Sequence, residues 1–137
     1  MNLTKNFTLE ELTASSVAQS NGINNIPDEK QILNLRRLCR EILQPVREKL
    51  GKPIIVTSGF RSPALNRRVG GVATSQHLEG AAADIISQDN SELWRMLCLM
   101  VRNGEIAVGQ LINEKGLRWI QVSLPDKRMR NQVFSLS

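Results

Sequence analysis

One segment, residues 75–85 with the sequence Ser-Gln-His-Leu-Glu-Gly-Ala-Ala-Ala-Asp-Ile, constrains this chain more than any other. It holds His77, the only histidine among 137 residues, and Asp84 follows seven positions later. Imidazole and carboxylate are both good ligands for a zinc-like divalent ion. Gly80 lets the backbone turn between them, and the three alanines keep side-chain bulk away. Taken alone, a histidine near an aspartate is more often a hydrogen-bonded structural pair than a metal site. The motifs elsewhere in the chain are therefore needed to distinguish the two interpretations.

Two other segments carry distinctive patterns. Residues 58–66 read Ser-Gly-Phe-Arg-Ser-Pro-Ala-Leu-Asn, and residues 117–123 read Leu-Arg-Trp-Ile-Gln-Val-Ser. A strand over the second segment places Trp119 and Gln121 on one face and Arg118 on the other. In chain order, the three segments give Ser-Gly-aromatic-Arg-Ser, then Ser-x-His-x-x-Gly-x-Ala-x-Asp, then Trp-Ile-x-Val-Ser.

This combined pattern resembles that of the zinc D-Ala-D-Ala carboxypeptidase and peptidoglycan endopeptidase family, and the likeness runs from about residue 7 to about residue 124. The resemblance implies the hedgehog/DD-peptidase fold, zinc as the cofactor, and His77 and Asp84 as two of its ligands. It also implies zinc-dependent hydrolysis of peptide bonds in peptidoglycan stem peptides, often next to D-amino acids. Peptidoglycan peptides are therefore the expected partners, and the small size suits a phage-derived lysis or tail protein.

One departure from the family pattern concerns the third zinc ligand, which is a histidine in the family. This chain has Gln121 there, and a neutral amide oxygen is a poorer zinc ligand than imidazole. We therefore expect zinc to be bound weakly or not at all, and hydrolysis to be impaired. The alternative is a catalytically inactive homologue that binds cell-wall peptides or a protein partner, with Gln121 as a polar residue lining the cleft. Whether the chain is an enzyme stays open at this point.

The resemblance also implies candidate catalytic residues. Arg61 corresponds to the family arginine that contacts the substrate carbonyl or its developing oxyanion, and a surface arginine that holds its loop is the alternative. The family carries an acid shortly before its third ligand, whereas this chain has Arg118, which cannot accept a proton, and Gly109 where many relatives show aspartate. Glu114 is the nearest acid and the candidate general base, although a solvated residue of a predicted hairpin turn at 113–116 is the competing interpretation.

Two further residues are candidates for substrate binding. Ser75 corresponds to a family serine that hydrogen-bonds substrate near the metal, or its hydroxyl stabilises the local turn. Trp119 is expected to form a wall of the cleft or to belong to the core. Together with Gln121, they would line a substrate-binding cleft next to His77 and Asp84.

The hydrophobic patterns predict an α+β domain, with a small, largely antiparallel sheet flanked by helices. Thr8 and Glu11 form a capping-box signature at the start of a short helix. A longer amphipathic helix starts near Asp28, and Pro45 is expected to kink or interrupt it. The remaining predicted elements are a helix over 62–69, a helix begun by Asn90 or Ser91 and closed at 103–104, and strands over 54–57, 81–86, 106–112 and 117–124.

The length favours one domain over residues 1–137, with a core at about 7–124 and a basic tail at 125–137 that is an edge segment or is loosely held. Cys39 and Cys98 lack a metal-binding or disulfide pattern and are expected to be buried thiols. No secretory signal and no apolar run of about 18 residues is visible, so no membrane partner is expected. The protein is expected to be made in the cytoplasm and to act on cell wall only if it is exported or released.

The net charge of +5 and the pI near 9.8 suit an anionic partner, such as nucleic acid or a cell-wall polymer. The lysines and arginines are scattered and no nucleic-acid-binding motif accompanies them. A merely basic surface is therefore the simpler explanation, and a nucleic-acid partner is not favoured. The sequence gives no indication of the oligomeric state.

Overall fold

The candidate site lies on a five-stranded sheet that is covered by helices on its other face. The computed structural model describes all residues, 1–137. The strands are β1 Asn2–Thr4, β2 Phe7–Thr8, β3 Ile55–Ser58, β4 Ala82–Ile86, β5 Gln110–Glu114, β6 Trp119–Ser123 and β7 Gln132–Leu136. The main sheet has the order β3-β4-β6-β5-β7, and only β5 and β7 are parallel, while β1 and β2 form a separate pair. The predicted α+β class with a largely antiparallel sheet is confirmed.

Six α-helices and two shorter helical turns connect the strands. The helices are α1 Leu9–Thr13, α2 Ser16–Ser20, α3 Glu29–Leu38, α4 Gln44–Leu50, α5 Pro63–Arg68 and α6 Asn90–Arg102. Cys39–Leu43 form a π-helical turn between α3 and α4, and Gln76–Glu79 form a 3₁₀ turn before β4. None of these helices combines the length and the apolar character that crossing a membrane requires.

Side-chain caps begin several helices. The predicted capping box of α1 is present, because Thr8 accepts from the Glu11 backbone N–H and the Glu11 side chain bonds back to the Thr8 backbone N–H. Helix α3 has a second capping box, formed by Asp28 and Gln31. The predicted start of α6 is wrong by one or two residues, since its N-cap is Asp89, whose side chain accepts from the Glu92 backbone N–H.

The expected irregularity at Pro45 takes the form of the π-helical turn Cys39–Leu43 immediately before it. A proline has no N–H to donate, and its ring crowds the carbonyl four residues earlier, which here belongs to Glu41. Glu41 belongs to the wider π-helical turn, which leaves more room between its carbonyl and the proline ring. Helical structure therefore continues from α3 to α4, ending at Gly51 in the left-handed conformation with φ 69°.

The two faces of the main sheet differ in character. On one face, alternate residues of the strands are fully buried in a core of 24 residues, among them Ala83, Ile85, Ile120 and Val122. Leu35, Leu38, Ile42, Leu93 and Leu97 of the helical layer belong to the same core. The opposite face carries Asp84 and Gln121. A continuous apolar layer thus supports a polar face from behind.

Three features of the carboxyl-terminal third differ from the sequence-based expectation or refine it. The strand predicted over 106–112 runs instead over Gln110–Glu114, and the turn follows it, with positive φ at Lys115, Gly116 and Leu117. Placing Glu114 in the turn was therefore wrong, because it is the last residue of β5. The tail contains β7 at the sheet edge, which fits the edge-segment alternative.

The two cysteines are free thiols in different environments. Cys39 is fully buried, and burial raises the pKa of its thiol to about 12. Cys98, expected to be buried as well, is only half-buried on α6.

Candidate functional site

Strand register brings one row of side chains together on the polar face of the sheet. Ser58 of β3 is paired with Asp84 of β4, Asp84 with Gln121 of β6, and Gln121 with Ile112 of β5. Directly opposed residues of neighbouring strands point to the same face, with Cβ atoms about 4.5–5.5 Å apart. Gln121 therefore lies beside Asp84 on this face of the sheet.

His77 reaches this row from the 3₁₀ turn that precedes β4. The Ser75 hydroxyl accepts a hydrogen bond from the His77 backbone N–H at 3.2 Å, which caps the turn. Gly80 ends the turn with φ 72°, and a Cβ on it would lie 2.6 Å from the Gln31 carbonyl oxygen. Glycine is therefore required at this position both by the left-handed backbone and by the lack of room for a Cβ. The turn that it allows directs His77 towards β4.

The imidazole of His77 and the carboxylate of Asp84 form the centre of the site. His77 Nε2 lies 3.3 Å from Asp84 Oδ1, yet both atoms are buried without any hydrogen-bond partner. His77 Nδ1 lies 2.7 Å from the Gly59 carbonyl oxygen. Because a carbonyl only accepts, Nδ1 carries the proton in the neutral ring, and the Nε2 lone pair is left available.

This arrangement fits a divalent metal ion of the zinc type. Two donors bound at about 2.0–2.2 Å to one tetrahedral ion lie about 3.3–3.6 Å apart, and the 3.3 Å separation of His77 Nε2 and Asp84 Oδ1 is at the lower end of that range. A second ring nitrogen bonded to a backbone carbonyl is the usual support of a metal-binding histidine. No third His, Cys, Asp or Glu side chain completes a metal-binding group with these two. The donor set therefore fits the ion but is one strong ligand short.

Arg61 binds the other oxygen of the Asp84 carboxylate. Its Nη2 lies 3.6 Å from Asp84 Oδ2, while Nε donates to Ser58 Oγ at 3.2 Å and Nη1 donates to Asn66 Oδ1 at 3.0 Å. Asn66 in turn donates to the Val72 carbonyl oxygen at 2.9 Å. Burial lowers the pKa of the Arg61 guanidinium, and the Asp84 charge acts in the opposite direction. The guanidinium is thus held by three side chains and fixes the orientation of Asp84.

Two clefts adjoin this centre. The larger, of about 470 Å³, is lined by Ser75, Gln76 and Gln121 together with Gln110 and Arg128. The smaller, of about 250 Å³, is lined by Ser58, Arg61 and Asp84 with residues of α2. Ligand-binding clefts typically have about 300–1,000 Å³. By volume, the larger cleft is the one of the two that can hold a ligand of this kind.

Glu114 lies on the same face of the sheet, one row beyond Gln121, and is paired with Trp119. Burial and the negative charge of Asp84 raise the pKa of its carboxyl group, whereas Lys115 and His77 act in the opposite direction. Glu114 is therefore half-buried and electrostatically coupled to both residues of the candidate metal pair. This environment differs from that of a solvated turn residue.

Trp119 is half-buried beside Glu114, and Lys115 Nζ lies 5.8 Å from its ring centroid. It lines neither of the two clefts. The structure thus brings together His77, Asp84, Arg61 and Gln121, with Ser75 on the wall of the larger cleft, and keeps Trp119 outside it.

Sequence reasoning did not identify several groups around the site. The Gly59 carbonyl that holds His77 left no side-chain signal, and the roles of Asn66 and Ser58 depend on contacts across the fold. The role of Gln76 also depends on a long-range contact, because its amide donates to the carbonyl oxygen of Leu124, 48 residues away, at 3.1 Å. Arg128 was part of a tail described only as basic. The available signals were the distinctive segment 58–66, which contains Ser58, Gly59 and Asn66, and the polar character of residues 74–76.

Comparisons with known proteins identify the family of the chain. A family model described as Peptidase M15 matches residues 5–114 of the chain. A zinc D-Ala-D-Ala carboxypeptidase from Streptomyces albus G is 50% identical over 44 residues, which are 31% of this chain and 17% of that relative. The family match covers most of the sequence and includes His77, Asp84 and Arg61. The chain therefore belongs to the peptidase M15 family.

Proposed function

We propose that this domain binds peptidoglycan stem peptides across the His77–Asp84 centre and hydrolyses them with zinc at reduced efficiency. The observation that carries the proposal is the pair of buried atoms, His77 Nε2 and Asp84 Oδ1, which lie 3.3 Å apart without hydrogen-bond partners. Leaving two such atoms unpaired in a protein interior costs about 1–3 kcal/mol each. A bound cation would remove that cost, which supports a metal site rather than a structural pair.

His77 and Asp84 would hold the ion through Nε2 and Oδ1. A bound zinc ion would supply Lewis-acid polarisation of the scissile carbonyl and an activated water. Gly59 keeps the His77 ring in the tautomer that leaves Nε2 free, and Arg61 keeps Asp84 in place through Oδ2. With its other nitrogens bonded to Ser58 and Asn66, Arg61 acts in this proposal mainly as a positioning residue.

Glu114 is the proton acceptor in this proposal. A general base works best when its pKa lies close to the operating pH, and the raised pKa of Glu114 is a shift in that direction. We expect Glu114→Gln to reduce the rate of hydrolysis about 10²–10⁴-fold, which is the usual contribution of a positioned base. Gln121 and Ser75 would hydrogen-bond the peptide backbone from the wall of the larger cleft.

A second candidate function is a domain that binds cell-wall peptides without hydrolysing them. Two residues favour it. The resemblance implies a histidine as the third ligand where this chain has Gln121. A Cβ on Gly109 would lie 2.5 Å from the Leu124 carbonyl oxygen, so the local backbone has no room for an acidic side chain at 109. Under this alternative, the cleft still binds peptide, while zinc is absent or has no catalytic effect.

One experiment separates the two functions. The protein, loaded with one equivalent of zinc, is incubated with purified peptidoglycan, and released amino acids and shortened peptides are measured by mass spectrometry. The matched control is His77→Ala under identical conditions, because it removes the stronger of the two ligands. Hydrolysis that depends on zinc and is lost in His77→Ala supports the proposal. Peptide binding with no product in either protein supports the inactive alternative and refutes hydrolysis.

A further inference from the structure

The larger cleft contains a single charged residue. Of the eight residues that line it, only Arg128 carries a charge, and the others are neutral. None of the ion pairs in the protein involves Arg128. The cleft is therefore cationic, and no acidic side chain in its wall neutralises it.

Arg128 is presented by a well-defined turn between β6 and β7. Asp126 Oδ1 accepts hydrogen bonds from the backbone N–H groups of Arg128 and Met129, both at 2.8 Å, and the Asp126 N–H donates to the Met129 carbonyl at 3.0 Å. These two backbone bonds lower the pKa of Asp126, and the Arg128 charge acts in the same direction with a smaller effect. Oδ1 of the carboxylate is engaged by the turn. Asn131 anchors the other end by accepting from the Val108 backbone N–H at 3.0 Å.

The remaining walls of the cleft offer neutral hydrogen-bonding groups. Gln110 and Gln121 contribute amides, and Ser75 contributes a hydroxyl. A guanidinium with neighbouring amides is well suited to a carboxylate, which it can bind through two parallel N–H···O bonds. Because Gln121 is paired with Asp84 and Gln76 precedes His77 in the chain, a ligand in this cleft adjoins the candidate metal centre.

We propose that Arg128 is a specificity-determining residue that binds a carboxylate of the peptide held in the larger cleft. The proposal rests on the proposed peptide-binding function, and it adds a residue beyond the 5–114 range of the family match. The carboxylate comes from one of two sources, the carboxyl terminus of the peptide or an acidic side chain near it. Both present the same chemistry to Arg128.

Calorimetric titration of metal-free protein in the presence of a chelator tests this inference without any dependence on zinc or hydrolysis. Three peptides are used: acetyl-Lys-D-Ala-D-Ala with a free carboxyl terminus, the same peptide with an amidated terminus, and an amidated peptide with D-Glu as its last residue. We expect the free acid to bind wild-type protein about 2–5-fold more tightly than the amide, because Arg128 is exposed to solvent and an exposed ion pair contributes only modestly to binding. The D-Glu peptide shows whether a side-chain carboxylate can replace the terminal carboxylate as the group that Arg128 binds.

The variant Arg128→Gln should bind the acid and the amide equally, and Arg128→Lys should keep only part of the preference because it retains the charge without the planar fork. Arg130→Gln is the matched control, since it removes one positive charge from the same tail without lining the cleft. Equal binding of acid and amide by wild type, or an equal loss in Arg128→Gln and Arg130→Gln, overturns the inference and leaves peptide binding intact. Absence of binding for all three peptides overturns peptide binding as well as the role of Arg128.

Discussion

The substitution Gln121→His should raise the affinity for zinc strongly. Position 121 is directly paired with Asp84 in the sheet, so an imidazole there starts from a Cβ about 4.5–5.5 Å from that of Asp84. It would complete a set of two histidines and one carboxylate and leave one position open for water. Gln121 is half-buried at the edge of a cleft, so a ring of similar size is accommodated without repacking the core.

The expected size of the effect follows from what metal ligands contribute. Loss of an outer-shell hydrogen bond to a ligand costs about 10–100-fold in metal affinity. A direct nitrogen ligand contributes at least the upper end of that range, so zinc affinity should increase by about 100-fold or more, which corresponds to about 2.8 kcal/mol. Hydrolysis should recover only partly, because the proton acceptor also has to be in place.

Competition titration against a chromophoric zinc chelator measures this change in wild type and variant side by side. Gln110→His is the matched control, because it adds a histidine to the wall of the same cleft on β5, away from the row that contains Asp84. Unchanged affinity in a folded Gln121→His protein, or an equal gain in Gln110→His, would refute the proposed ligand geometry. Full hydrolytic activity in Gln121→His would show that the proton acceptor is intact, with Glu114 as the first residue to test.

Three further predictions concern stability. Glu114→Gln should stabilise the metal-free protein at neutral pH, because a raised carboxyl pKa means that the ionised form is disfavoured in the folded state; the gain should vanish as the pH falls below the ordinary value of 4.5, as followed by urea unfolding at several pH values. Gly109→Ala should destabilise by about 1–3 kcal/mol, because the new Cβ would lie 2.5 Å from the Leu124 carbonyl oxygen, and a normal unfolding midpoint would contradict this. Thr8→Ala should cost about 1 kcal/mol through loss of the capping box, whereas Thr8→Ser, which keeps the hydroxyl, should remain close to wild type in the same assay.

The sequence predicted the elements that depend on local chemistry. The capping box of Thr8 and Glu11, the glycine that turns the chain after His77, and the alternation of β4 and β6 are all encoded within a few residues. Alternation in β6 also predicted that Gln121 and Trp119 share a face, and the strand register then pairs Gln121 with Asp84. The approach of His77 to Asp84 could be anticipated because one short segment holds both residues.

The position of Glu114 could not be predicted because it depends on long-range pairing. The sequence Asn-Glu-Lys-Gly at 113–116 is typical of a turn, but β5 is extended through Glu114 by β6 on one side and β7 on the other. The turn then uses left-handed backbone at Lys115 and Leu117, which few non-glycine residues adopt. Because the turn begins only after Glu114, this residue lies in β5 as a half-buried acid on the face that Asp84 shares.

The position of Arg128 could not be predicted for a related reason. Its turn depends on one side chain, Asp126, and on the parallel pairing of β7 with β5. Parallel pairing between distant segments leaves no turn signal in the sequence, and the tail lacks a clear alternation of apolar and polar residues. The basic composition of the tail was visible, whereas its contribution to the cleft was not.

The central claim is that His77 and Asp84 bind one divalent metal ion, and the imidazole of His77 reports on it directly. Because the protein has a single histidine, the imidazole signals in nitrogen-15 NMR during a zinc titration all come from His77, and only its two ring nitrogens have to be distinguished. We expect a large change at Nε2 with a stoichiometry of one, and loss of this change in Asp84→Ala. Nδ1 should keep its proton, which it donates to the Gly59 carbonyl oxygen. Ring signals that remain unchanged at saturating zinc, or that show zinc at Nδ1, would contradict this claim.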